Sequence, residues 1–142
     1  MGRSIWFECS KCGYRAVVSG RVDRGRDFFV QTIVCRDCKQ LYDAVTRLRV
    51  PNESKLDGQI RPLGTLGFGR RNPIRWPTTP PTFQNVLNRL AYRGVRRFKW
   101  LQFKLQCPVS AAHQVSPWND PGKCPRCGLL LEKNAVSYRI WD

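Results

Sequence analysis

Six cysteines stand in three C-x-x-C pairs: Cys9 with Cys12, Cys35 with Cys38, and Cys124 with Cys127. No other feature narrows so far what this chain can fold into. Each pair lets two sulfurs face one point from a tight turn, with backbone amides free to donate to them. Two such turns on neighbouring hairpins complete a tetrahedron. Cys107 is the seventh cysteine, an odd number that disfavours a purely disulfide framework, and His113 is the only histidine. A redox C-x-x-C pair would open a helix in a βαβ setting, and neither N-terminal pair has that context.

A metal staple also suits the length. A chain of 142 residues makes one domain or two very small ones. Ten prolines and eleven glycines break its apolar residues into short segments. Chains that cannot build one large core lean on disulfides or metals. The N-terminal "MGRSIWFECS" has no apolar stretch long enough for export, and no run reaches the roughly 18 apolar residues of a membrane helix. The expectation is a reducing, cytoplasmic setting, where C-x-x-C pairs read as metal ligands.

Residues 1–50 read as one unit. "SIWFEC" is a strand into Cys9, "YRAVVSG" a second strand, "GRVDRGRD" a charged turn and "DFFVQTIVC" a β-branched strand into Cys35. In "LYDAVTRLRV" a period of two places Tyr42, Ala44, Thr46, Leu48 and Val50 on one face. Residues 51–81, rich in Pro and Gly and without periodicity, predict an extended basic linker. Residues 82–93 predict a short amphipathic helix with Phe83, Val86, Leu87, Leu90 and Ala91 on one face, Thr79 or Thr82 capping it and Gly94 ending it. "VRRFKWLQFKLQC" then alternates into Cys107, with Leu101, Phe103 and Leu105 together, and "NAVSYRIWD" offers Val136, Tyr138 and Ile140 as the face of a closing strand. The fold class expected is small, β-rich and metal-stapled. Two zinc-ribbon or knuckle modules lie at 1–50 and within 82–142, joined by the 51–81 linker and the helix.

Order along the chain suggests the ligand sets. Cys9, Cys12, Cys35 and Cys38, with 22 residues between the pairs, give a four-thiolate site. Cys107, His113, Cys124 and Cys127 give a three-thiolate-plus-histidine site, with Asp120 or water as rivals for the fourth position. Two zinc ions are the expected cofactors, with iron the rival at four thiolates. A closed site holds rather than reacts, and structural zinc contributes about 10–16 kcal/mol of apparent binding free energy to small folds.

Residues 4–50 resemble zinc ribbons in general. Residues 107–131, about a fifth of the chain, resemble the short heavy-metal-binding domain that accompanies copper-transporting ATPases and metal-efflux adaptors. That family opens with Cys-Pro-Met-His and ends with Pro-Gly-x-Cys-Pro-x-Cys-Gly-Met-x-Leu. Cys107 and Pro108 match its start; Pro121, Gly122, Cys124, Pro125, Cys127 and Gly128 match its end. His113 is displaced by three residues, and Leu129 replaces the methionine, removing a soft thioether that copper would use. The resemblance implies a metal-handling role.

The charge points elsewhere. The formal net charge is +15. It divides as +5 over residues 1–50, +9 over 51–106 and +1 over 107–142. A basic surface attracts polyanions, nucleic acid first. Arg21, Arg24 and Arg26 cluster at a hairpin tip; Arg70, Arg71, Arg75 and Trp76 lie in the linker; Arg93, Arg96, Arg97 and Lys99 precede Trp100. These are the expected contacts to nucleic acid or a partner. Phe98 and Trp100 read as core or partner interface.

Three functions follow. The leading one is a non-enzymatic zinc-binding module that binds RNA or DNA, RNA favoured, as a small subunit of a larger protein or nucleoprotein assembly. The second is an accessory subunit whose linker is ordered by its partner, with Trp76, Trp100, Trp118 and Trp141 as anchors. The third is metal handling. Catalysis has the least support: the one histidine reads as a ligand, "GTLGFGRR" lacks a phosphate-loop ending, and no small-molecule substrate is evident.

Overall fold

A computed structural model describes residues 1–52, 80–87 and 97–141. The elements are β1 (Gly2–Glu8), β2 (Arg15–Val18), β3 (Val22–Arg24), β4 (Phe28–Cys35), β5 (Gln40–Pro51), α1 (Phe83–Leu87), β6 (Phe98–Gln102), β7 (Val115–Pro117) and β8 (Glu132–Trp141). Among the described residues the fold is β-rich with one short helix, as the residue pattern predicts. The expected linker falls almost wholly outside the described residues, as do positions 88–93 of the expected helix.

Two antiparallel sheets form. One has the order β2-β1-β8; the other runs β3-β4-β5-β6, with β7 also paired to β4. The first sheet joins chain ends: Gly2 lies opposite Trp141, and Glu8 opposite Glu132. In the second, β3 and β7 share one edge of β4, β3 facing Phe29–Gln31 and β7 facing Ile33–Cys35. The charged "GRVDRGRD" segment is therefore not only a turn. Val22–Arg24 is a strand, closed by the Gly25 amide donating to the Phe28 carbonyl at 2.9 Å.

The period of two in β5 is broken in the middle. Phe29 faces Arg47 but Val30 faces Val45, so Thr46 is an extra residue in the ladder. Leu48 and Val50 are buried as expected, and beyond the bulge Val45 takes the core position. In β8 the expected face is reversed. Val136, Tyr138 and Ile140 are 72, 64 and 62% exposed. Ile140 lies opposite exposed Arg3 and Tyr138 meets Trp6 on the outward side of β1, while Trp141 lies opposite buried Gly2.

Two apolar clusters result. Ile5, Phe7, Tyr14, Val18, Leu41, Trp118 and Leu131 pack with Cys9 and Cys124. Phe28, Val30, Val45, Leu48, Val50, Val86 and Trp141 form the other, with Phe83, Leu87, Leu101 and Phe103 against it. Trp141 stacks on Phe28, ring centroids 4.7 Å apart. Trp118 and Trp141 are thus core residues, not the partner anchors expected of them. Helix α1 carries Phe83, Val86 and Leu87 onto the second cluster, and Thr82 caps it by accepting from the Asn85 amide at 3.3 Å.

Between the sheets lies Asp43, on β5. Its carboxylate accepts from the Ser19 amide and hydroxyl and from the Thr32 hydroxyl, the last at 2.6 Å. Burial pushes the Asp43 pKa up, and the Thr32 and Ser19 donors oppose that rise.

Candidate metal centres and the cationic face

The eight soft side chains converge on two points, in groups that differ from chain order. Cys9, Cys12, Cys124 and Cys127 form one cluster, and Cys35, Cys38, Cys107 and His113 the other; within each, the ligand atoms lie within 4.8 Å of one another. Both clusters can hold a metal ion. The expectation of one site per terminal module is corrected: each centre takes one N-terminal and one C-terminal pair. Sheet pairing is the reason. The β1–β8 ladder carries Cys124 and Cys127 to Cys9 and Cys12, while β7 on β4 draws the 107–113 loop to Cys35 and Cys38. Along the chain the first centre encloses the second, so they are called outer and inner here.

The outer centre is two facing copies of one turn. The Gly13 amide donates to the Cys9 carbonyl and the Gly128 amide to the Cys124 carbonyl, each at 3.0 Å. Cys9 and Cys124 donate in turn to the carbonyls of Tyr14 and Leu129. Gly13 and Gly128 sit at φ 70 and 77, the left-handed conformation that closes such a turn and suits glycine. Sulfurs meet across the pair: Cys9 to Cys127 at 3.3 Å and Cys12 to Cys124 at 3.6 Å. Zinc–sulfur bonds of about 2.3 Å place tetrahedral sulfurs about 3.8 Å apart, so the donor set fits such an ion. Tyr14 braces this centre, its hydroxyl accepting from the Leu41 amide at 2.8 Å while the Arg126 guanidinium lies over its ring.

In the inner centre only one half is a C-x-x-C turn. Lys39 occupies the place that glycine holds in the outer turns, at φ 52. The other half is the wider Cys107–His113 loop. His113 presents Nδ1, 3.3 Å from Cys38 Sγ and 3.7 Å from Cys35 Sγ, and Cys107 Sγ is 3.8 Å from Cys38 Sγ. The Cys38 amide points at Cys35 Sγ and the Val109 amide at Cys107 Sγ, both at 3.4 Å. The loop is also fastened just past β4: the Arg36 amide donates to the Gln114 carbonyl, and the Gln114 amide donates to the Asp37 carboxylate. Asp120 is no ligand here; it pairs with Lys133 at 2.8 Å.

Crowded thiols split their acidities. The backbone amide of Cys12 leads in holding Cys9 down at about 7. At Cys107 burial works upward, but the Ser110 and Val109 amides and His113 bring it down to about 7. At Cys12 the Tyr14 amide pulls down, and burial with the neighbouring thiols wins, raising it to about 11. Burial, then Cys35, lifts Cys38 to about 11. Four thiolates in the outer cluster, or three in the inner, cannot share so small a space without a cation, and a divalent ion would reverse that balance.

The split of Cys107 and His113 from Cys124 and Cys127 also divides the heavy-metal-binding motif between two centres. No known protein family matches the chain. No curated protein and no solved structure matches it either.

Of the expected contact residues, Arg70, Arg71, Arg75, Trp76, Arg93 and Arg96 lie outside the described residues. Arg21, Arg24, Arg26, Arg97 and Lys99 are exposed. Arg47 and Arg49 escaped the reading of basic runs because they join Arg24 and Trp100 only across strands. Arg24 faces Phe29, Phe29 faces Arg47, and Arg49 faces Trp100. These side chains share the outer face of the five-stranded sheet, opposite Phe28, Val30, Leu48 and Val50. Trp100 is 41% exposed and is not a core residue. No helix among the described residues is long and apolar enough to cross a membrane.

Proposed function

We propose that this protein is a non-enzymatic module, organised by two zinc ions, that binds nucleic acid, RNA in preference, through its cationic surface. One observation carries the reading: 25 Lys and Arg face 10 Asp and Glu. Among the described residues few of these cations are ion-paired; the pairs are Arg15–Glu8, Arg49–Asp27 and Lys133–Asp120. Phosphates are the counter-charges such a surface lacks. The metal centres support a holding role. Each gathers four candidate ligands from distant parts of the chain, enough to fill a tetrahedral site. Sulfur-rich tetrahedra with one or no histidine suit zinc.

The test is binding of a labelled mixed-sequence RNA to the metal-loaded chain across a salt series. Affinity should fall steeply as salt rises, because each phosphate contact releases a counterion. Salt-independent binding, or none to RNA or DNA, removes the reading.

Membership of a larger assembly is favoured by a separate observation, the outward stripe of Val136, Tyr138 and Ile140 on β8, at the edge of its sheet. An apolar stripe on an edge strand is a site for another chain. Loss of a copurifying partner on Tyr138→Lys would support it.

A further inference from the structure

We propose that the outer face of the five-stranded sheet is a platform on which single-stranded nucleic acid stacks its bases; this rests on the polyanion reading and assigns its site. The face is built across four strands. Arg24 on β3, Phe29 on β4 and Arg47 on β5 form one row, and Arg49 on β5 with Trp100 on β6 forms the next. The rings of Phe29 and Trp100 meet edge to face, centroids 5.3 Å apart. The guanidinium groups of Arg24 and Arg47 lie over Phe29 at 5.2 and 5.5 Å, and that of Arg49 lies over Phe98 at 3.8 Å.

This chemistry differs from an ordinary solvated face. A surface that only meets water gains nothing from an indole left 41% exposed beside stacked arginines. Arg24 and Arg47 have no carboxylate partner among the described residues, and Asp27 at the rim takes only Arg49. A guanidinium resting on a ring keeps its N–H donors for phosphate and offers its own plane to a base. Exposed aromatics supply further planes, and stacking tolerates any sequence because every base has a π-face.

The shape selects single strands over duplex. Four strands spaced about 4.8 Å apart make a face about 14 Å across, too broad for a major groove about 12 Å wide. Bases inside a duplex cannot reach such a face, whereas those of a single strand can be splayed onto it. An acidic peptide would satisfy the arginines and leave Trp100 unused.

The experiment uses the full, metal-loaded chain and fluorescence anisotropy. Labelled probes of equal length are single-stranded RNA and DNA, a duplex, and an abasic strand with the same number of phosphates; poly-glutamate competes. Base-bearing single strands should bind at least tenfold more tightly than the abasic strand. Trp100→Ala and Phe29→Ala should each weaken them by about tenfold, within the range one stacked base supplies. Trp100→Ala should weaken base-bearing strands much more than the abasic strand, and Trp100→Phe should keep most of the affinity. Equal affinity for abasic and base-bearing strands, or no effect of Trp100→Ala, overturns the platform and leaves the polyanion reading standing. A preference for duplex or poly-glutamate does the same. Absence of binding to every probe overturns both. Metal content and circular dichroism check folding; should Phe29→Ala not fold, the Trp100 pair decides.

Discussion

The outer and inner centres each gather four ligands, yet they stand on different supports. The outer centre is held by two matching glycine-closed turns, and Cys9 and Cys124 are part of an apolar cluster with Phe7, Tyr14 and Trp118. The inner centre has one turn and one wide loop, and its loop is fastened just past β4 by hydrogen bonds and to β4 by the β4–β7 ladder. The lesson is that two similar ligand sets can serve two purposes. An ion held by the outer cluster would close a core; one held by the inner cluster would pin a loop already laid along a sheet.

Removing both ions is the largest perturbation. Exhaustive chelation should unfold the chain, seen as loss of the β signal in circular dichroism, because each structural ion contributes on the order of 10 kcal/mol. A chain that stays folded without metal would end the comparison. Single ligands then separate the centres. Cys124→Ser should cost more than His113→Ala, since the serine disrupts a core as well as a ligand set. Native mass spectrometry should count one ion in each variant, and His113→Cys should restore two by making the inner centre a second four-thiolate site.

The link between the centres comes next. Asp43 on β5 receives Ser19, which follows β2, and Thr32 on β4. Asp43→Asn swaps an acceptor for an amide donor facing the Ser19 amide, and should cost about 1–3 kcal/mol in denaturant unfolding. Metal uptake should show the acidity pattern. Without an ion, Cys12 and Cys38 titrate at about 11 and are protonated at pH 8. The ion takes thiolates, so loading must expel a proton from each, and affinity must fall as pH falls. Cys9 and Cys107, at about 7, add to that dependence only in more acid solution. Calorimetry in buffers of different ionisation enthalpy measures the release.

The smallest effects concern the turns. A Cβ at Gly13 meets nothing within 4 Å, so Gly13→Ala carries only backbone strain, about 1–2 kcal/mol. Lys39 already bears such strain at φ 52, and Lys39→Gly should stabilise by up to about 1 kcal/mol. Equal responses at the two positions would show that the turns are not the alternatives their geometry suggests.

How much of this was legible in the sequence follows from what is local. C-x-x-C spacing announces a two-sulfur turn on its own, and β-branched alternation announces a strand; both are written within a few residues. Which turns share an ion is a matter of strand pairing over long distances, and chain order gave the wrong partners. Val136, Tyr138 and Ile140 were readable as one face but not as the outer one, because long-range pairing with β1, itself interrupted by bulges, decides that. Thr46 hides another such bulge. The stacking face is invisible to a scan for basic runs, since Arg24, Arg47 and Trp100 become neighbours only across strands.

The enclosing order of the two centres has a consequence during synthesis. Cys38 and Cys107 are 69 residues apart, and Cys9 and Cys127 118. At about 5–20 residues per second, the ribosome needs roughly 3–14 s to add the shorter of these intervals. Throughout it, Cys9, Cys12, Cys35 and Cys38 are the thiols within reach of one another. Translation thus offers a passing ion the chain-order foursome first, and any ion gripped there would have to be released before the native sets could close.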